Sequence, residues 1–512
     1  MGIPQTLTGA AMPAQVTTRA QVNGYQFLIR RLEHALIRGD SRMIHDPMRG
    51  QMRALLVGVV IAVLIGGSAT VLAFFKPMPN FGNSTIMVSK SNSAAYVRIG
   101  DQLHPVLNLA SARLIAGKAD PPKPVDDKFL NTVPLGPTVG VVGAPNAIHG
   151  ADDLSMSSWT VCDTTQTPKV TDSVGGQSVE TTVLANNPVL TDDIRAATDA
   201  QMVLTKSGNS AFLIYGGVRA LIDPADPVLF RALRLGDAEV REVSAGLLNA
   251  FPLVDPIVPV EIADIGAPVG FLASQYRVGS IIRTVDSRGD QLYVVLGDGV
   301  QPISEATADI IRYGDPQSPT VAEPSTISPA LLSDVPVVHG LHVDHYPTAS
   351  PQFVRIDPDR VVCMAWQRTN SAAEASTRLL VGHRLPLPKD ARPLRLATAD
   401  GNGPGLDNVF LRPGTGEFVQ ATDAEPDSRS QGQLFYVSDT GVRFHIKDLP
   451  TAAALGVVGV KDPDSPDSLP QLAPWPVLAL LPPGPELSQQ AALIAHDGMA
   501  ADPSGLKVTP PK

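Results

Sequence analysis

Aromatic residues are scarce in this sequence, at 5% of 512 positions, and there are only two cysteines, Cys162 and Cys363. Few aromatics beside 47 prolines, about twice the usual share, favour many short elements joined by proline-bearing loops over a few long helices. Two cysteines permit one disulfide and no more. A basic patch is also missing, and the net charge is −10. That argues against nucleic acid as the main partner. Nucleotide-binding signatures are absent as well. A phosphate-binding loop needs Gly-x4-Gly-Lys-Ser/Thr, so that backbone N–H groups cradle phosphate while the lysine and hydroxyl serve charge and Mg²⁺. Residues 136–143 are glycine-rich but lack the lysine, and residues 401–405 contain a proline with no basic residue after them. The protein-kinase set and the Gly-x-Ser-x-Gly elbow of hydrolases do not occur. The sequence therefore names no catalytic residue and implies no cofactor.

What is present begins with an apolar run. Residues 54–75 hold 22 positions without a charge, roughly 33 Å of helix, enough to cross a hydrocarbon core of ~30 Å. A signal peptide has a shorter apolar core and would not follow 53 residues that themselves read as folded. Seven arginines (Arg19, Arg30, Arg31, Arg38, Arg42, Arg49, Arg53) precede the run against Glu33, Asp40 and Asp46, while the remainder of the chain is strongly acidic. The arginine bias predicts a cytosolic N-terminus and an exported bulk. Along the run, Ala54, Gly58, Ala62, Gly66 and Thr70 recur every fourth residue. They draw one ridge of small side chains that a neighbouring membrane helix could approach closely.

In the segment 1–53, Thr18 can cap a helix bearing Val22, Tyr25, Ile29, Leu32 and Leu36 on one face, with Gly39-Asp40 as its stop. A stripe this short cannot form its own core and needs a partner surface. A protein partner is the favoured reading, with an interfacial helix on anionic lipid as the rival.

Beyond residue 76 the sequence repeats itself. The run Tyr96-Val-Arg-Ile-Gly-Asp-Gln-Leu-His-Pro-Val106, leading to Gly117, shares its register with Tyr293-Val-Val-Leu-Gly-Asp-Gly-Val-Gln-Pro-Ile303, leading to Gly314. Weaker copies start at Phe212 and Leu434. Each reads as strand, turn, strand and short helix, giving four modules near residues 95–117, 211–236, 292–314 and 434–456. The long gaps, 118–210 and 315–433, each contain one cysteine on an apolar, strand-like run. The exported part therefore reads as two similar halves joined by a Cys162–Cys363 bond. Residues 462–470 and the Pro/Ala-rich stretch after Trp475, within a tail spanning 461–512, read as surface loops. His339, His342, Asp344 and His345 could gather round a Zn²⁺ if their loop folded back. They lack the helical His-Glu-x-x-His form, and Pro336 and Pro347 flank them, so solvated histidines on a strand or loop are the favoured reading.

Several stretches resemble the EccB family, a membrane component of the mycobacterial type VII (ESX) secretion machine. They are Thr18-Arg-Ala-Gln-Val-Asn-Gly-Tyr-Gln-Phe-Leu-Ile-Arg-Arg-Leu-Glu-His-Ala-Leu36, Arg42-Met43 and Asp46-Pro47. Next come His104-Pro-Val-Leu-Asn-Leu-Ala-Ser-Ala-Arg-Leu114 and the pair Trp159-x-x-Cys162-Asp163 and Cys363-x-x-Trp366. In the tail they are Ala473-Pro-Trp475, Gly484-Pro485, Leu487-Ser488, Ala491-Ala-Leu493, His496-Asp497 and Asp502-Pro503. The resemblance implies a membrane-anchored α+β chain: a segment 1–53, a transmembrane helix 54–75, and an elongated periplasmic domain 76–512 with a β-rich centre and four peripheral modules. The function it implies is assembly of the inner-membrane secretion complex. The partners it implies are the EccC motor ATPase, EccD, EccE, the MycP protease and other EccB copies. The same family carries an ATPase label, which leaves a nucleotide-hydrolysing subunit as the alternative.

Overall fold

The computed structural model describes residues 18–39, 41, 47–74, 84–151, 153–166, 177–287, 289–314, 324–401, 403–457 and 470–498. It separates into two compact units, Met1–Gly82 and Asn83–Lys512. The first contributes helix α1 (Arg19–Arg38) and helix α2 (Pro47–Phe74). At the start of α1 the Gln21 carboxamide accepts from the Thr18 amide at 3.0 Å. At its end Gly39 turns left-handed (φ 68°), its N–H bonded to the Ala35 carbonyl.

The second unit is built on a seven-stranded sheet. Its strand order is Leu394–Arg395, Asn408–Phe410, Ser178–Leu184, Met156–Gln166, Val361–Thr369, Ser376–Gly382, Ile194–Ala196. Each half of the chain contributes a hairpin, and the two hairpins meet at the central pair Met156–Gln166 and Val361–Thr369. Beyond them the halves interlock. Ile194–Ala196, from the first half, adds to the second half's hairpin, and Asn408–Phe410, from the second, adds to the first's. The exchange is inexact, antiparallel in one case and parallel in the other.

Beside it are four sheets of four or five strands and one two-stranded pair, and each of the four stretches singled out in the sequence lies in a different one of the four as a hairpin followed by a helix. Three share one plan. In the first, Ile86–Ser89, Ala95–Ile99 and Gln102–Pro105 form a meander, helix Leu109–Ala116 crosses back, and Lys123–Val125 lies parallel to the opening strand. The third sheet (Ile281–Asp286 to Ser325–Ile327) and the fourth (Gly416–Thr422 to Gln471–Pro474) do the same. Side-chain caps start the crossing helices: Asn108 accepts from the Ser111 amide and Asp448 from the Thr451 amide. In the second sheet the strand after the helices, Leu253–Ile257, pairs with the third strand instead. The place beside its opening strand, Gln201–Ser207, goes to Gln352–Phe353 from the other half.

The modules pack in pairs. Helix Leu109–Ala116 of the first meets helix Leu449–Leu455 of the fourth around Leu114, Ile446 and Leu455. Helix Pro227–Ala232 of the second meets helix Glu305–Gly314 of the third around Leu229, Ile310 and Ile311. Exchanging the halves maps one pair onto the other. One face of the central sheet, with Trp159, Val161, Val362, Met364 and Trp366, is covered by helices Ala245–Ala250 and Trp475–Leu478. The opposite face carries Cys162, Cys363, Leu184 and Leu380.

The region after residue 470 departs from the loop reading. Gln471–Pro474 is the closing edge strand of the fourth module, and Val477, Leu478, Leu481 and Leu487 are fully buried. Pro476 lies in the first turn of helix Trp475–Leu478, where a helix tolerates it, while Pro482, Pro483 and Pro485 lie outside any helix. Residues 461–469 and 499–512 lie outside the described residues.

Candidate functional site: partner-facing helices and a cross-linked joint

On α1 the positions Val22, Tyr25, Ile29, Leu32 and Leu36 are all exposed, from 42% to 77%. Leu28, equally uncovered, falls beside Leu32 on the same face and widens the stripe by one residue. On α2 the span Met52–Val71 is long and apolar enough to cross a membrane, and none of it is buried. Ala54, Gly58, Ala62, Gly66 and Thr70 lie along this helix. A side chain added at Gly58 or Gly66 would meet nothing within 4 Å. The Thr70 hydroxyl turns back to the Gly66 carbonyl at 2.7 Å, so the ridge offers no free polar group at that step.

In the second unit, Cys162 and Cys363 stand directly opposite each other across the central strand pair and are disulfide-bonded, with Cα atoms 4.0 Å apart. Both are fully buried. One residue on, on the other face of the sheet, lies a group the sequence did not single out for a role. Asp163 is buried and accepts from the Ser244 amide (2.6 Å), the Ser244 hydroxyl (2.9 Å) and the Thr181 hydroxyl (2.9 Å). Burial pushes its carboxyl up to about 6, against the pull of those donors and of the Arg241 charge. Arg241 is itself buried and donates to the carbonyls of Arg355 and Asp359. Burial lowers it to about 10, with Glu239, Asp359 and Asp163 acting in the opposite direction. Asp359 also takes Arg195 in a two-point pair at 3.2 and 3.0 Å. The network ties the central sheet to the second module, whose helix Ala245–Ala250 starts at Ser244. The one sequence signal was position: an aspartate inside an apolar strand has to find donors.

The histidine cluster does not assemble. The backbone carbonyl of His345 accepts from the Tyr215 hydroxyl at 2.6 Å, and its ring meets Tyr346 edge-on. Among the described residues no group of three or more His, Cys, Asp or Glu stands close enough to hold a metal ion.

Comparison with known proteins supplies the family. Residues 14–501 match the model for "Type VII secretion system ESX-1, transport TM domain B". The chain is 37% identical to the ESX-3 secretion system ATPase EccB3 of Mycolicibacterium smegmatis over 96% of its own length and 93% of the relative's. It is 34% identical to the ESX-5 secretion system ATPase EccB5 of Mycobacterium tuberculosis over 98% of both. Among solved structures, it is similar to a chain of the intact ESX-5 inner membrane complex, at 32% identity and a TM-score of 0.67, covering 98% of this chain and all of that one. It is also similar to the EccB3 dimer of the ESX-3 core complex, at 34% identity and a TM-score of 0.66, covering 80% of this chain and all of that one. With a family match running from residue 14 to residue 501 and the same fold in solved relatives, the chain belongs to the EccB family of type VII secretion components.

Proposed function

We propose that this chain is a structural and assembly subunit of a type VII inner-membrane complex, anchored by α2, with Asn83–Lys512 as a periplasmic scaffold. The observation that carries the reading is the pairing of a fully exposed, membrane-length apolar helix with a β-rich unit whose two halves are interlocked and disulfide-bonded. One part has surfaces that only other molecules can cover, and the other is braced to hold them at fixed positions. The arginine bias sets the N-terminus in the cytosol. The stripe on α1 and the ridge on α2 are the contact surfaces, for which the EccC motor, EccD, EccE, the MycP protease and further EccB copies are the candidate partners. The relatives were solved within an ESX-5 inner membrane complex and as an EccB3 dimer, which supports this reading.

A nucleotide hydrolase, the activity the relatives' names carry, finds less support. A roomy cavity of about 760 Å³ in the second module is lined by Asp223, Asp226 and three prolines, with Lys206 as its one cation. Carboxylates repel phosphates, and prolines have no N–H to donate. The deciding experiment is purification of the full chain with its partners from membranes, followed by nucleotide titration of the full chain alone. Co-purification of a membrane complex and no saturable nucleotide binding is the expected result. Saturable ATP binding with turnover by the isolated chain would overturn the scaffold reading.

A further inference from the structure

We propose that the cleft under the loop 383–393 is a binding site for a compact oxyanion of the phosphate class. The cleft holds about 280 Å³ and lies at the ends of the central strands, on the disulfide side of the sheet. Arg360, Arg384, Lys389, Arg392 and His383 line it, with Glu180 as the one carboxylate. Residues 383–392 carry four of these five side chains against a single acidic residue, Asp390, and the fold adds Arg360.

The local ion pairs leave most of this charge uncompensated. Glu180 is taken by Arg395 at 3.2 Å. Asp193 is shared by His383 at 3.2 Å and Arg384 at 3.5 Å. Asp390 does not line the cleft. Arg360 donates its Nε to the His383 carbonyl, and Arg392 reaches the backbone oxygens of Lys389 and Ala391. Among the described residues, Arg360, Lys389 and Arg392 therefore have no carboxylate partner. Two guanidinium forks and an ammonium around one small space suit an anion with several acceptor oxygens.

The loop that carries Lys389 and Arg392 is braced. Leu385 and Leu387 pack against the disulfide cluster. The Val189 amide is bonded to the Pro386 carbonyl, the His383 amide to the Asp193 carbonyl and the Ala391 amide to the Pro388 carbonyl. Cations held in place before binding lose less freedom when an anion arrives. The volume lies at or below the smallest drug-sized pockets, so it fits one headgroup or free anion and not a helix or strand. The proposal does not depend on the scaffold reading.

The test uses the full chain in neutral detergent at low salt, titrated with inorganic phosphate. Because α2 would carry the chain into any vesicle, a second arm titrates the same detergent-held chain with soluble short-chain phosphatidylglycerol, against short-chain phosphatidylcholine. Salt-sensitive phosphate binding is expected, weakened roughly tenfold or more in R360Q/K389Q/R392Q, since charged hydrogen bonds are lost. R283Q, which removes a cation elsewhere, should leave it unchanged. Binding of short-chain phosphatidylglycerol but not phosphatidylcholine, lost in the triple variant, supports the site with a lipid headgroup as the source. If the triple variant fails to fold, the single variants K389Q and R392Q carry the test, because neither side chain bonds another side chain among the described residues. The proposal is overturned by no binding in either arm or by binding that survives the substitutions. It is equally overturned if a short glutamate peptide, at equal carboxylate concentration, binds more tightly than phosphate, because the occupant would then be an acidic protein segment.

Discussion

Asp163 gives the protein a pH dependence of unusual sign. Its carboxyl is pushed up to about 6 in the folded chain, against ~3.9 when unfolded. Folding therefore takes up a proton between about pH 4 and pH 6. The stability of the second unit should fall as pH rises through that window, by about 3 kcal/mol in all. Asp153 and Asp448 behave oppositely. Hydrogen bonds from Ser155 and Thr451 lower them, so their contribution is lost as pH falls below about 4, outside the Asp163 window. Thermal melts between pH 4 and 6 should show a midpoint that declines with rising pH. Asp163→Asn should flatten that slope. Asparagine keeps an oxygen for the Ser244 amide, and both hydroxyls can turn from donor to acceptor. An unchanged slope in the variant would assign the effect to another group. At Gly382 the constraint is steric: a Cβ would stand 2.2 Å from the Asp193 carbonyl oxygen, where the exchanged strand Ile194–Ala196 is received. Gly382→Ala should cost about 1–3 kcal/mol, read as a lower melting midpoint. An unshifted midpoint would mean the strand can retreat freely.

Among the elements, the disulfide is the tie whose removal is simplest to measure. It closes a separation of 201 residues, worth about 5 kcal/mol in the chain-entropy model. Cys162→Ala with Cys363→Ala should lower the thermal midpoint while leaving the two residues opposite each other in the sheet. In the helices, Gly58→Leu with Gly66→Leu adds bulk to the α2 ridge, and Ile29→Asp with Leu32→Asp places charge on the α1 stripe. Either pair should reduce co-purification of partner subunits while the second unit keeps its melting midpoint. Wild-type yields of the assembled complex from both would make the segment a passive tether. These elements were legible because each has a local signature: a charge-free run, a three-and-four spacing, and hairpins centred on glycine turns with helices ended by glycine. The closing strands were not. Lys123–Val125 and Ser325–Ile327 are three residues long, too short for alternation to register, and their partners lie a helix away. The Asp163 network and the cleft at Arg360, Lys389 and Arg392 were hidden for a related reason. Ser244 stands 81 residues from Asp163 in sequence, and Arg360 comes beside Lys389 and Arg392 only because a strand pair folds the chain back, distances no local pattern spans.

For the molecule as a whole, the arginine bias makes a topological prediction. A reporter fused before Ala54 should read cytosolic and one fused after Lys76 periplasmic, and the reverse pattern would refute it. The paired modules and interlocked sheet also mean that neither half is a complete fold. The second module's opening strand is flanked by Gln352–Phe353, and the first hairpin by Asn408–Phe410. Met156–Gln166 would also lose Val361–Thr369, so a chain stopped after the second module should expose these three strand edges unpaired and be prone to aggregation.

The disulfide acquires another meaning when the order of synthesis is considered. Cys162 leaves the ribosome 201 residues ahead of Cys363, roughly 10–40 s at ~5–20 residues per second. Through that interval it is a thiol on a strand whose cross-linked neighbour, Val361–Thr369, does not yet exist. A third cysteine anywhere in the first half would offer it a wrong partner at close range, and the chain has none. Keeping the cysteine count at two leaves the nascent chain with nothing internal to mispair with, so the only error open to it is a bond to another molecule.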